Sequence, residues 1–140
     1  MNWRIKQTDD LGACHALRRT VFIEEQGVSE AEERDGRDAD ALHVLATLDG
    51  KALGCARILF AGDVAKIGRV CVVQEARGTG LGAAIIAACL DVARTQNGVT
   101  RARLGAQTHA LVFYEKLGFA AFGPVYDDAG IPHRDMERPL

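Results

Sequence analysis

Three glycines set two positions apart, Gly78, Gly80 and Gly82, follow Arg77 and lead into an apolar stretch of helical period. That arrangement suits a phosphate. Glycines allow a tight turn and let a ligand approach the backbone. A helix opening behind them presents N–H groups with no intrahelical partner, and its macrodipole adds partial positive charge. The result is a site for a phosphate or pyrophosphate, with Arg77 as a cation beside it. Further on, Tyr114 carries a phenol, a group with pKa near ~10 that is protonated at neutral pH and can give its proton to a leaving group. By spacing from Leu111 and Leu117 alone, Tyr114 reads as a core residue.

Rival phosphate motifs fail on spacing. A Walker loop requires G-x-x-x-x-G-K-[ST], and no lysine follows these glycines. A dinucleotide fingerprint requires G-x-G-x-x-G near the first strand of a βαβ unit, whereas G-x-G-x-G occurs here after several strands. No His/Cys/Asp spacing of the zinc type occurs, so no metal is expected. Among the histidines, His43 and His133 flank apolar strand residues and read as hydrogen-bonded core. His109 reads as a neighbour of a helix cap, and His15 has no supporting motif.

The elements that position these residues follow from periodicity. Trp3 to Gln7 alternates as a short strand. Thr8 or Asp9 is expected to cap a helix carrying Leu11, Cys14, Leu17 and Val21, and Gly27 to stop it. Ser29 and Glu32 form a capping box for a short acidic helix. Ala41 to Leu48 and Ala52 to Phe60 are apolar runs joined by Asp49-Gly50, a type I′ hairpin signal. Lys66 to Val73 is β-branched and reads as a strand. The helix after the glycines reaches about Gln96, with Leu81, Ala84, Ile85, Ala88 and Val92 as its apolar stripe. Arg101 to Ala106 reads as a strand, Thr108 as the cap of a helix ending at Leu117-Gly118, and the tail as one or two strands. The order is βα(α)ββββαβαββ, with two of the middle strands open to merger, and it implies a mixed α/β sheet in one domain over residues 1–140.

Composition narrows the function classes. The chain has 140 residues, 48% hydrophobic and 26% charged, the balance of a globular domain rather than a disordered segment. Its net charge of −2 offers no basic field for nucleic acid or anionic lipid. The start lacks an apolar signal region, and Leu81 to Leu90 is too short to cross a bilayer, which takes about 20 residues. Cys14, Cys55, Cys71 and Cys89 lie in apolar stretches without a C-x-x-C pair, as expected of reduced thiols in a cytoplasmic protein. Between Glu24 and Asp40 stand eight acids against Arg34 and Arg37. They read either as a solvated surface or as a negative rim that attracts a cationic amine.

Gln74, Arg77, Gly78, Gly80 and Gly82, after the strand Val70-Cys71-Val72-Val73, resemble the acetyl-CoA motif of the GNAT acetyltransferase superfamily. The segment Ala106 to Phe119, containing Phe113-Tyr114-Glu115-Lys116-Leu117-Gly118-Phe119, resembles that superfamily's second signature. Arg19 to Gln26 and Asp128 to His133 are similar to the small bacterial ElaA/YjcF-type branch. The resemblance covers nearly the whole chain. It implies the GNAT fold, a mostly antiparallel sheet of six or seven strands with about four helices. It also implies an acyltransferase using acetyl-CoA as co-substrate, with a small-molecule or peptide amine as acceptor. Amides around Cys71, Val72 and Val73 would then align the pantetheine arm and polarise the thioester. Arg77, Gly78, Thr79, Gly80, Leu81 and Gly82 would hold the pyrophosphate, with His109 and Phe113 also at the cofactor. Tyr114 would protonate the sulfur. Glu25 is the candidate base at the end of the first helix; Glu24, His43 and His133 are its alternatives. No nucleic acid or membrane partner is expected, and a second copy of the chain is the candidate for self-association. Competing readings are a CoA-sensing or interaction module without turnover, and an acyltransferase using another acyl-CoA or nucleophile.

Overall fold

The computed structural model describes residues 2–140. Strand β1 (Arg4–Thr8) leads into helix α1 (Leu11–Arg18), which buries Cys14 and Leu17. Its cap is Asp10, not Thr8 or Asp9: the Asp10 carboxylate accepts from the Ala13 amide at 3.1 Å. Thr8 instead accepts from the Asp10 amide and so orients the cap. The helix widens into a π-helical segment, Arg19–Glu25, and ends where Gly27 takes φ 72°. Ser29 caps α2 (Glu30–Glu33) as expected, its hydroxyl accepting from the Glu32 amide.

Next come β2 (Leu42–Leu48), β3 (Lys51–Ala61) and β4 (Val64–Val72), three strands where the sequence allowed four. Asp49 and Gly50 both have positive φ, 51° and 80°, which matches the twist of a two-residue hairpin. The chain continues as α3 (Leu81–Arg94), β5 (Arg101–Gln107), α4 (Leu111–Glu115), β6 (Ala120–Asp128) and β7 (Ile131–Pro139). Thr108 does not cap α4. It opens a 3₁₀ turn, Thr108–Ala110, and α4 begins after that turn without a side-chain cap.

The seven strands form one sheet in the order β1-β2-β3-β4-β5-β7-β6. Every pairing is antiparallel except β4 with β5, which run parallel from Val64–Lys66 against Arg101–Arg103. Past Lys66 the two strands part. A β-bulge accompanies the parting: Cys55 faces Cys71 and Arg57 faces Gly68, so β4 spends one residue more than β3. Arg69, inside the bulge, takes φ 49°.

Helices cover both faces of the first strands. The Cys55 thiol reaches the Cys14 carbonyl of α1. At the neighbouring Gly54 an added Cβ would stand 2.6 Å from Ile85 Cδ1 of α3. Successive strand residues point to opposite faces, so α1 and α3 lie on opposite sides of the sheet. Gly54 is what lets α3 come so close. The buried stripe of α3 is Leu81, Ile85, Ile86, Cys89, Leu90 and Ala93, turned from the expected one; Ala84, Ala88 and Val92 sit only half-buried at its edge. All four cysteines are buried free thiols. Burial pushes Cys89 up to about 12. Among the described residues no helix is long and apolar enough to cross a membrane.

Candidate active site

Where β4 and β5 part, a cavity of about 770 Å³ opens between them. Cys71 and Val72 of β4, Gly105 and Gln107 of β5, Phe113 and Tyr114 of α4, and Tyr126 and His133 of the last hairpin all line it. A strand pair that separates must leave backbone groups unpaired at the gap. Val73 is not one of them, because its amide donates to the Leu53 carbonyl at 2.9 Å. Backbone groups alternate sides along a strand, so the amide of Val72 faces away from β3 and toward the gap. The expectation of amides from Cys71 to Val73 thus narrows to Val72.

At one end of the cavity stands the glycine turn. Gly78 and Gly80 have φ 76° and 90°, conformations that side chains resist, and Gly80 is the N-cap of α3. The first helical bond there runs from the Ala84 amide to the Gly80 carbonyl at 3.1 Å. Amides earlier in the helix, Gly82 among them, have no partner one turn back. Gly82 lines the cavity, and a Cβ there would touch the Phe113 ring at 3.4 Å. The two sequence signatures are therefore in contact. Leu81 is 1% exposed and packs into the core, so only its backbone could serve a ligand. The Thr79 hydroxyl donates to the Ala76 carbonyl and holds the turn.

Arg77 lines the cavity, but its guanidinium is engaged. Its Nε donates to the Val72 carbonyl at 3.0 Å and its Nη2 to Glu25 Oε2 at 2.7 Å. Glu25 is not part of the cavity wall. Its carboxylate neutralises Arg77 and ties the π-helical segment to the end of β4.

Tyr114 lies in the wall opposite, its ring edge-on to Phe113 (4.9 Å, 78°) and to Phe119 (6.0 Å, 79°). Burial, with a smaller contribution from nearby Cys89, pushes its hydroxyl up to about 12. The phenol is therefore a proton donor at any neutral pH. His109 also lines the cavity, with Nε2 against Gln107 Oε1 at 2.7 Å.

The acidic stretch is largely consumed inside the protein. Arg18, 1% exposed, grips Glu33 at 2.7 Å and Asp38 at 2.8 Å. Arg57 holds Asp35 through both terminal nitrogens, at 2.8 and 2.9 Å. Arg69 reaches Glu33 and the Glu32 and Glu33 carbonyls from the bulge. Two histidines complete the cluster: His15 Nε2 meets Asp38 Oδ2, and buried His43 meets the Asp38 carbonyl, both at 2.9 Å. Three arginines thus balance Glu33, Asp35 and Asp38. Neither a free negative rim nor a plain solvated surface describes these three acids; they pin the loop after α1 onto β3 and β4. The sequence carries no sign of this, since each partner lies far along the chain.

Tyr126, Gly105 and Gln107 were not legible as site residues, and His133 reads from the sequence as core. The only hint was position, because His133 follows a turn signal at Asp128 to Pro132 and precedes the charged pair Arg134-Asp135.

Comparison with known proteins gives a consistent picture. The Acetyltransferase (GNAT) domain family matches residues 8–140. The Bacillus subtilis (strain 168) N-acetyltransferase YjcF is 33% identical over 132 residues, 94% of this chain and 94% of that one. The crystal structure of an acyl-CoA N-acyltransferase from Pseudomonas aeruginosa superposes with a TM-score of 0.84 at 34% identity, covering 98% of each chain. That of Escherichia coli ElaA does so with a TM-score of 0.84 at 30% identity, also covering 98% of each chain.

Proposed function

The chain belongs to the GNAT acetyltransferase family and is an acyltransferase, and from that premise we propose that it passes an acetyl group from acetyl-CoA directly to the primary amine of a small molecule or peptide. The observation that carries this reading is the cavity at the parting of β4 and β5. A glycine turn on a helix N-terminus stands at one end, and a protonated phenol stands in its wall.

The residues fit the co-substrate on three counts. Backbone amides of Gly78 to Gly82 would hold the pyrophosphate, with Arg77 near it. The free edge of β4 at Val72 would pair with the pantetheine arm, as one strand pairs with another. His109 and Phe113 would flank the same arm from the start of α4. Acetyl-CoA supplies an acyl carbon already activated as a thioester.

The protein must then do three things. An outward N–H, that of Val72, stabilises the thioester oxygen as it gains charge. The acceptor nitrogen must lose its proton, since a lysine-like amine has pKa near ~10.4 in water. Tyr114 gives its proton to the departing sulfur. Four buried free thiols support a reducing, cytoplasmic setting. The test is thiol release from acetyl-CoA in the presence of spermidine, glucosamine, an aminoglycoside and a lysine-containing peptide. At least one amine should accelerate release; none doing so would remove the amine as acceptor.

A further inference from the structure

We infer that His133 is the group that takes the proton from the attacking amine, a role that rests on the acetyl-transfer reading above. The inference comes from which imidazole nitrogens are free. In His15, His43 and His109 the nitrogen Nε2 is engaged, by the Asp38 carboxylate, the Asp38 carbonyl and the Gln107 amide oxygen respectively. In His133 it is the other nitrogen, Nδ1, that meets a partner, the Ile131 carbonyl at 2.7 Å. A carbonyl oxygen only accepts, so Nδ1 carries the proton and the neutral ring keeps its lone pair on Nε2. No described residue hydrogen-bonds that nitrogen, and the ring lines the cavity.

The surroundings hold the ring in place. Tyr126 stacks against it, with centroids 5.9 Å apart and planes at 25°. The Tyr126 hydroxyl is fixed in turn by Asp135 Oδ1 at 2.8 Å. Gly105 makes room for this arrangement, because a Cβ there would collide with that hydroxyl. Asp135, Tyr126 and Gly105 are thus positioning residues for the imidazole. Across β5, His133 pairs in register with Gln107, at the strand end where the gap to β4 opens.

The carboxylates nearby are poorer candidates. Glu25 is bound to Arg77; Glu33 and Asp35 are bound to arginines. Glu32 accepts from the Ser29 hydroxyl. Asp128, at the tip of the hairpin, lines the cavity, but a carboxylate is a far weaker base toward an alkylammonium than an imidazole is. The step balances without another reactant. The amine proton passes to Nε2, the N–C bond forms, the C–S bond breaks, and the sulfur receives the Tyr114 proton. His133 then returns its proton to water.

Replacing His133 with asparagine retains a donor where Nδ1 stood and removes Nε2. With acetyl-CoA and the most active amine of spermidine, glucosamine and a lysine-containing peptide, kcat should fall by about a hundredfold or more. With hydroxylamine, which is already neutral at assay pH, the loss should largely vanish. Acetyl-CoA affinity by calorimetry and Tm should hold. A His133→Gly variant should regain turnover when imidazole is added. Full activity of His133→Asn, or an equal loss toward hydroxylamine without rescue by imidazole, would overturn this role alone. An Asp128→Asn variant that loses the same hundredfold while His133→Asn stays active would move the role to Asp128. A wild-type protein that binds acetyl-CoA yet acetylates no amine would overturn both this role and the transfer reading.

Discussion

The Arg77 guanidinium donates to the Glu25 carboxylate at 2.7 Å, joining the end of the first helical segment to the end of β4. The second bond from Arg77, to the Val72 carbonyl, makes this pair a brace beside the amide placed here at the thioester. Both side chains are partly exposed, 44% and 31%, so the pair contributes less than about 1 kcal/mol to folding.

A Glu25→Gln variant should consequently keep kcat within about threefold and raise the KM for acetyl-CoA by a similar factor. Steady-state kinetics in acetyl-CoA separate this from a base role. A base would show itself as a large loss in kcat at unchanged KM.

The buried arginine cluster makes a different prediction, about acid. A hydrogen bond from Arg57 outweighs burial and holds Asp35 down to about 2. Burial alone would raise Asp38, but hydrogen bonds from Arg18 and His15 hold it lower still. Carboxylates depressed in the folded state stabilise it above their unfolded pKa, near ~3.9, and that stability is lost as pH falls through the folded value. The Tm should therefore drop steeply between about pH 4 and pH 2, and less steeply in an Asp35→Asn variant. Arg18→Met, which strands Glu33 and Asp38 in the interior, should cost about 3–5 kcal/mol at pH 7, read from urea unfolding. Equal stability of that variant would mean the cluster is not what pins the loop after α1.

Tyr114→Phe tests the proton donor. Phenylalanine keeps the edge-on contacts with Phe113 and Phe119 and deletes only the hydroxyl. Turnover should fall on the order of ten- to a thousandfold, while Tm and acetyl-CoA affinity barely move. Because the hydroxyl is held near 12, the wild-type pH profile should show no loss of the donor below about pH 11. Full activity with a lowered Tm would make Tyr114 a packing residue instead.

How far the sequence foretold these features depends on how local each one is. The glycine turn, the capping box at Ser29 and the Asp49-Gly50 hairpin are written in neighbouring residues, and each was legible. So were most strands, through alternation and β-branching. The cap of α1 was misplaced because Thr8, Asp9 and Asp10 are all competent, and only the side-chain geometry chooses. The α3 stripe was rotated because its small alanines leave the period ambiguous; contact with Gly54 and the sheet decides which face is buried. Least legible was whatever depends on pairing at long range. Glu33 and Asp35 look like surface charge until Arg18, Arg57 and Arg69 are folded against them. His133 looks like core until its register with Gln107 sets it at the rim of the gap.

The account's central claim is that acetyl-CoA is held by the backbone of the glycine turn at the start of α3. Calorimetric titration of acetyl-CoA into the wild type and a Gly80→Val variant tests it most directly. Gly80 sits at φ 90°, where a β-branched residue is strained, and valine would deform the turn that presents the amides. The wild type should bind one equivalent, and the variant, confirmed as folded by its far-UV circular dichroism, should lose at least about tenfold in affinity, roughly 1.4 kcal/mol. Unchanged affinity in a folded Gly80→Val protein would contradict the claim.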